Sequence, residues 1–366
     1  MASTLSTRGP LAGLRVIEFA GIGPGPFACM LLSDMGADVV TIDRPTRKLG
    51  DANNITGRGR SVVMADLKDP AAREEVMGLL EHADVLIEGF RPGVMERLGF
   101  GPDVVAARNP RLVYGRMTGW GQEGPLAQAA GHDINYIALT GALHAIGPAG
   151  GAPTPPLNLV GDYGGGSLYL VVGVLAALHE AQRSGKGQVV DAAMTDGAIS
   201  LMSNFISHQR RGLFKEERGS NMLDGGSPYY RAYETSDGQH ICVGPIEPQF
   251  FKELCERVGL PAELHGVQTD RSRWPEMHAA FERIFRTKTR TEWVDLLEGT
   301  DVCFAPVLPL SEVPAHPHNV ARQAFVDVEG VSHPAPAPRF SRTPSAIQGP
   351  TPSAAATAAD VKARWA

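Results

Sequence analysis

A chain of 366 residues, 43% hydrophobic and 20% charged, has room for two domains and enough apolar material for sizeable cores. Its net charge of -6 argues against a protein that binds nucleic acid as a whole. The four cysteines, Cys29, Cys242, Cys255 and Cys303, make neither a CxxC pair nor a disulfide framework, which suits a reducing cytosol.

In chain order, Met1 to Leu14 has no apolar core and no cleavage site, so no signal peptide is expected. Leu14 to Phe19 reads as a strand, Gly21 to Pro26 as a turn, Phe27 to Met35 as an apolar helix and Ala37 to Asp43 as a second strand. Ser61 to Asp66 is a third strand. Asp69-Pro70 then supplies a capping residue and a proline at the first helical position, for a helix running to about His82. Asp84 to Glu88 and Leu112 to Met117 are two further short strands. Strands alternating with helices call for a parallel sheet, and the fold class is α/β.

The turn after the first strand holds Gly23-Pro24-Gly25-Pro26-Phe27-Ala28, with Asp43 at the end of the next strand, and so imitates a dinucleotide fingerprint. Pro24 and Pro26 lack the N–H donors that a pyrophosphate needs, which favours a tight strand-to-helix turn over a nicotinamide dinucleotide site. Arg44, Arg47, Lys48, Arg58 and Arg60 form a basic stretch against the one acid Asp51. It suits either a solvated loop or a multiply phosphorylated ligand approached by Gly57-Arg58-Gly59-Arg60. Arg91-Pro92-Gly93 follows the fourth strand, at the carboxyl edge where open α/β sheets bind ligands.

The segment from Gly131 to Asp162 is the candidate centre of the chemistry. It opens Gly131-His132-Asp133-Ile134-Asn135-Tyr136, passes through a Gly/Pro loop from Gly147 to Pro156, and closes Leu159-Val160-Gly161-Asp162-Tyr163. The eleven apolar residues Leu168 to Leu178 suggest a buried helix starting just after Asp162, and are too few to span a bilayer. A carboxylate at a helix start is stabilised by the macrodipole and free N–H groups, and with an imidazole it can give and take one proton. The same residues suit a hydrogen-bonded loop histidine and a plain N-cap. A helix to Arg183 with Gly185 as its C-cap, a strand from Gln188 to Ala192 and a helix from about Asp196 to His208 follow.

Arg210 to Arg218 reads as linker, and near Asn221 the pattern changes. Tyr229 to Thr235 and His240 to Val243 flank Ser236-Asp237-Gly238, a hairpin signal. Ile246-Glu247-Pro248-Gln249 begins a helix ending at Gly259, and helices at Trp274 to Phe285 and Thr291 to Leu297 with a strand at Val302 to Val307 complete a smaller α+β domain. The Pro- and Ala-rich tail from Pro334 ends in a short helix at Asp360 to Trp365, and Arg364-Trp365-Ala366 is no peroxisomal signal. A soluble cytoplasmic protein is expected, with neither nucleic acid nor membrane as partner.

Several stretches in one order resemble the α-methylacyl-CoA racemases of the family III CoA-transferase superfamily. They are Leu11 to Glu18, Gly36-Ala37-Asp38-Val39-Val40, Ala65-Asp66-Leu67-Lys68, Arg91-Pro92-Gly93, Gly119-Trp120-Gly121, Gly131 to Tyr136, Gly187 to Asp191 and Pro336 to Phe340. The resemblance implies an interlocked homodimer, each subunit a Rossmann-like large domain (1–205), a linker (206–225), a small α+β domain (226–320) and a segment (321–366) returning to the large domain. It implies that His132 and Asp162 are the two acid/base groups, that Glu247 orients the histidine, and that the Asp133 N–H is an oxyanion donor. It further implies that Arg44, Ala65, Leu67, Lys68, Gly89, Arg91 and Arg97 hold CoA, with the active site between one subunit's large domain and its partner's small domain.

The implied substrate is an acyl-CoA, with no separate cofactor and no metal. Removing a hydrogen α to a thioester needs a close base and a stabilised enolate oxygen, and racemisation needs a second acid on the opposite face. Arg44 and Arg91, at carboxyl ends of strands, are expected to hold phosphate remote from the reacting carbon. The nearest rival is a CoA-transferase in which Asp162 attacks the thioester carbonyl.

Overall fold

The computed structural model describes residues 8–366, so the first half of the Met1 to Leu14 stretch read for a leader lies outside the described residues. Five strands alternate with helices in the first part of the chain: β1 (Arg15–Phe19), α1 (Pro24–Asp34), β2 (Asp38–Asp43), β3 (Arg60–Met64), α2 (Pro70–Leu80), β4 (Val85–Glu88), α3 (Val94–Leu98), α4 (Pro102–Arg108) and β5 (Val113–Thr118). After α5 (Asp133–Ala138), a wide-turned segment Leu159–Ser167 and α6 (Leu168–Ser184), β6 (Val189–Ala193) joins them. The six strands are parallel, in the order β3-β2-β1-β4-β5-β6. This is a Rossmann-like sheet whose order reverses between β1 and β4.

Local chemistry accounts for most boundaries. Asp69 caps α2 by accepting from the Ala71 N–H at 3.0 Å, with Pro70 behind it, and Gly185 ends α6 in the left-handed region at φ 75°. α1 departs from expectation by starting at Pro24 rather than Phe27. A helix's first turn has no use for its N–H groups, so Pro24 and Pro26 cost nothing there. The dinucleotide-like motif is therefore largely helix, and its turn shrinks to Gly21–Gly23.

The basic stretch also divides. Arg58 is 1% exposed and grips Asp34 through Nε at 3.1 Å and Nη2 at 2.5 Å, while Nη1 donates to the Pro334 carbonyl at 2.8 Å. Arg60 pairs with buried Glu18 and donates to the Pro26 carbonyl at 2.9 Å. Arg58 is thus structural, which corrects its reading as a surface or phosphate-seeking cation, whereas Arg60 is paired with Glu18 and also lines a cavity at the sheet's carboxyl edge. Removing one member of such a buried pair strands the other charge.

Each face of the sheet carries its own apolar core. One holds Phe19, Leu79, Leu86 and Phe100 with Val361 and Trp365 of α12 (Ala358–Trp365, numbered after the second unit's helices below). Arg364 and the Trp365 indole fasten that helix to Asp38 with bonds of 2.7 to 2.9 Å. The other core takes Leu32, Val85 and Val113 with Leu170, Val174 and Ala177 of α6.

The helix through α6 is longer than its apolar run suggested, since Leu159–Ser184 is continuous over 26 residues and by length and composition alone could cross a membrane. Leu170, Val171, Val174 and Ala177 pack into the core on the sheet. Leu168, Tyr169 and Val172 stay exposed, so the expected burial of Leu168 to Leu178 holds on one face alone. Past β6, one expected helix is two, α7 (Met194–Leu201) and α8 (Ser203–Arg210). The Ser203 hydroxyl, donating to the Ser200 carbonyl at 2.6 Å, competes with the helix at that break.

Contacts divide the chain into two units, one through Ala142 with 157–203 and 321–366, the other 143–156 with 204–320. In the second, β7 (Arg231–Glu234), β8 (His240–Val243) and β9 (Phe304–Pro306) make an antiparallel sheet, with Glu234 opposite His240 across the expected hairpin. It packs on α9 (Pro248–Val258), α10 (Trp274–Phe285) and α11 (Arg290–Leu297) through Phe251, Met277, Phe281 and Trp293. A short hairpin, β10 (Phe325–Val328) and β11 (Val331–Pro334), begins the tail in the first unit.

A close backbone approach joins the wide-turned segment to α7. A Cβ on Gly197 would stand 1.9 Å from the Gly165 carbonyl oxygen, and one on Gly165 would stand 2.7 Å from the Ala198 nitrogen. Gly197→Ala should therefore lower the unfolding free energy by about 1–3 kcal/mol or more, as overpacking does. Urea denaturation of the variant would show this as a lower midpoint with an unchanged slope.

Candidate active site

The reversal of strand order sends the loops after β1 and β4 in opposite directions, and ligands of open α/β sheets bind in the crevice this leaves. Two adjoining cavities occupy it. The first, of about 690 Å³, is walled by the loops after β1, β2 and β3 and includes Arg44, Arg47, Lys48, Ala65, Leu67 and Lys68. The second, of about 520 Å³, lies against the loops after β1, β4 and β5 and includes Gly89, Arg91, Gly119, Trp120, His132 and Asp162. Phe19, Gly21, Ile22, Gly23, Pro26 and Phe90 line both. The cations of the first cavity face Asp43, Asp51 and Asp66, so its charge is mixed but its basic groups are accessible.

His132 is the N-cap of α5, in extended backbone (φ -135°). Its N–H donates to Asn135 Oδ1 at 3.0 Å and its carbonyl accepts from the Asn135 N–H at 2.8 Å. The Tyr136 hydroxyl donates to the Gly131 carbonyl, and its ring meets Trp120 edge-on with centroids 4.8 Å apart. Gly119 makes room for that ring, because a Cβ there would come within 2.1 Å of it. A short, braced loop thus fixes the His132 backbone, and His132 lines the second cavity.

Asp162 is not the N-cap foreseen from sequence. The helix begins earlier, with Asn158 as N-cap and the aspartate inside the wide-turned stretch Leu159–Ser167, where i+5 bonding leaves backbone groups free to bond elsewhere. Its N–H donates to Asp133 Oδ2 at 2.7 Å, and its own Oδ2 accepts from Asn158 Nδ2 at 3.1 Å. Ser167 bridges the Pro24 and Asp162 carbonyls at 2.7 and 3.0 Å, tying this turn to the start of α1. Gly23, at φ 66°, lets the carboxylate lie beside the loop after β1, since a Cβ there would be 3.0 Å from Asp162 Oδ2.

Three groups missed in the sequence reading complete the site. The Asp133 side chain is 7% exposed. Burial raises its pKa, the Asp162 and Gly161 N–H groups oppose the rise, and the Asp162 charge adds to it. Its Oδ1 has no partner among the described residues. Burial and the Asp162 charge also push the Tyr136 hydroxyl up, while the Arg91 charge pulls it down, so Arg91 and Asp162 act on the same spot. Asn158 had no sequence signal, whereas Asp133 and Tyr136 stood in the His132 motif and could have been flagged for their side chains.

Beneath the loop after β4, Glu88 accepts from Arg116 Nε at 2.9 Å and from the Phe90 N–H at 2.7 Å, and burial raises its pKa against both. Arg97, exposed on α3, lines neither cavity. Glu247 is the N-cap of α9 in the second unit and makes no side-chain cap bond, leaving its carboxylate available.

Comparison with known proteins gives the family and the fold. The sequence profile described as CoA-transferase family III matches residues 11–357. The α-methylacyl-CoA racemase of Mus musculus is 45% identical over 337 residues, covering 92% of this chain and 87% of that protein. The racemase of Homo sapiens is 44% identical over 336 residues with the same coverage. A crystal structure of a CAIB/BAIF family protein from Brucella suis superposes with a TM-score of 0.83 at 26% identity, over 98% of this chain and 100% of that one.

Loss of the Asp133 tether is measurable. Asp133→Ala should lower the unfolding free energy by about 1–3 kcal/mol by orphaning the Asp162 N–H, and Asp133→Asn by less because its amide oxygen still accepts. A raised folded pKa means that protonating this carboxyl favours the native state. That contribution is full below the unfolded value of about 3.9 and is lost as pH rises through the raised folded value. Denaturation across that window should show a flatter pH dependence in Asp133→Asn than in the wild type.

Proposed function

This chain belongs to CoA-transferase family III, and from that premise we propose that it is an α-methylacyl-CoA racemase, an isomerase that inverts the carbon α to an acyl-CoA thioester. The observation that carries the reading is that His132 and Asp162, from separate elements, line one cavity adjoining a second with accessible cations.

In this reading the nucleotide end of CoA lies in the first cavity beside Arg44, Ala65, Leu67 and Lys68. The thioester enters the second past Gly89 and Arg91. One of His132 and Asp162 removes the α proton and the other returns a proton from the opposite face, each starting in the opposite protonation state. Asp133, the first residue of α5, has an N–H without an intrahelical acceptor, suited to the enolate oxygen that forms as the proton leaves. The Asp133 carboxylate fixes the backbone of the Asp162 turn, so the base is held before substrate arrives. No cofactor beyond the CoA moiety takes part.

We read the active molecule as a homodimer. Leu139, Leu159, Val172, Val189, Ile199 and Leu201 are exposed apolar side chains of the first unit, which a second copy would cover. Glu247 then belongs to the small domain that approaches His132 from the partner subunit, where a carboxylate would hydrogen-bond the imidazole and fix its tautomer. Glu247→Gln added to His132→Ala should cost little more than His132→Ala alone, and fully additive losses would break this pairing.

The two arginines should separate in kinetics. Arg44→Ala removes a cation from the nucleotide cavity and should raise KM with little change in kcat. Arg91 shares the cavity of His132 and Asp162, so Arg91→Ala should lower kcat as well, in contrast to the remote role read from sequence. Equal KM effects with kcat intact in both variants would return Arg91 to the remote role.

The decisive measurement is proton magnetic resonance of one enantiomer of a 2-methylacyl-CoA in deuterated water. Wild-type protein should exchange the α hydrogen and yield the racemate. His132→Ala should be slower by at least about 10², with residual exchange favouring the enantiomer that Asp162 reaches, and Asp162→Ala should show the reverse preference. Transfer of CoA to an added carboxylic acid with the α hydrogen retained would instead make Asp162 a nucleophile and the protein a transferase.

A further inference from the structure

The C-terminal segment enters the first cavity. Thr351 and Pro352 line it together with Arg44, Arg47 and Lys48, although at least 303 positions separate them in sequence. They belong to a strap that holds the loop between β2 and β3. The Gly59 N–H donates to the Gly349 carbonyl at 2.9 Å and the Gly50 N–H to the Pro352 carbonyl at 3.1 Å. The Thr351 hydroxyl donates to the Asn54 carbonyl at 2.7 Å. Gly57 admits the strap, since a Cβ there would be 3.1 Å from Thr351 Cγ2. Farther on, the Ala356 N–H bonds to Val62 at 2.8 Å, and the capped helix α12 anchors the strap in the core.

The loop has few other supports. Residues 44–53 contain no helix or strand, and all but Leu49 are exposed. Arg47 approaches Asp43 at 3.8 Å, a distance of little consequence at an exposed site, and Lys48 has no ion-pair partner among the described residues. Two cations thus stand at the cavity with their charge uncommitted, on a loop whose position is set by the strap. A flexible loop would have to be ordered when ligand binds, and each ordered residue costs free energy that a pre-placed loop does not spend.

We propose that Arg47 and Lys48 are phosphate-contacting residues for the nucleotide end of the thioester, and that Thr351 is the positioning residue that sets them there. The inference rests on the acyl-CoA reading above and adds to it a means of telling CoA thioesters from truncated ones. A thioester of N-acetylcysteamine carries the reacting group but no phosphate, so it gains nothing from this wall of the site.

The test compares wild type, Thr351→Val, Thr351→Ser and Lys48→Ala. Calorimetry gives the Kd for free CoA at two salt concentrations, and α-hydrogen exchange gives kcat/KM for matched 2-methylacyl thioesters of CoA and of N-acetylcysteamine. Thr351→Val removes one hydrogen bond and should weaken CoA about two- to tenfold, while Thr351→Ser restores it. Lys48→Ala should weaken CoA and flatten the salt dependence, because the lost contact is a screened one. In Thr351→Val and Lys48→Ala the preference for the CoA thioester over the truncated one should fall by a similar factor.

Wild-type values of Kd and salt slope in both variants would overturn the proposal, as would equal losses on the two thioesters. If the wild type binds CoA but exchanges no α hydrogen, the reaction reading fails, and the Kd series still decides this inference. Lys48 is exposed, so its variant keeps the test open should Thr351→Val not fold.

Discussion

The arrangement depends on the reversal of strand order between β1 and β4. A parallel sheet covered by helices on both faces buries its strands completely and leaves binding to its carboxyl edge. Where the order reverses, successive loops turn away from each other and a crevice opens that no side chain need fill. The two cavities sit on either side of the Gly21–Pro26 and Phe90 walls in that crevice. Everything that distinguishes this chain from other sheets of the same order is a matter of what its loops carry to that edge.

Buried ion pairs fix those loops. Glu18 with Arg60 and Glu88 with Arg116 lie near the carboxyl edge, Asp34 with Arg58 lies at the amino edge where α1 ends and β3 is about to begin, and each pair is almost closed to solvent. Such pairs add little net stability, because desolvating both charges offsets most of their attraction. What they contribute is position. Glu88 holds the Phe90 N–H, Arg60 holds the carbonyl of Pro26 at the start of α1, and Arg58 joins α1 to the tail through the Pro334 carbonyl.

The acid/base groups are placed by a different means, close backbone approach. Gly161, Gly165 and Gly197 let the wide-turned helix press on Asp133 and on α7 at distances no Cβ would allow, and Gly119 does the same for Tyr136. Widening the turn to i+5 bonding frees the Asp162 N–H for Asp133 instead of an intrahelical acceptor. Both groups therefore sit on helix starts packed against the sheet, where small displacements are resisted, rather than on free loops.

Sequence alone determined the elements whose signals are local. Asp69-Pro70 and Glu247-Pro248 mark helix starts, Gly185 and Gly259 mark helix ends, and Trp274–Phe285 has the bounds its apolar spacing requires. Ser236-Asp237-Gly238 makes its hairpin, and alternation of strand and helix gives the parallel sheet. The His132 motif and Asp162 were visible as residue types suited to proton transfer.

Tertiary structure decided the rest. Arg58 and Arg44 look alike in sequence, yet one is buried against Asp34 and the other lines a cavity. Asp162 looked like an N-cap and is an internal residue tethered to Asp133. The strap on the nucleotide cavity brings Thr351 to Asn54 across 297 positions. Periodicity and capping are written over three or four residues, whereas burial, charge pairing and cavity walls depend on which distant segments meet, and no local pattern encodes that.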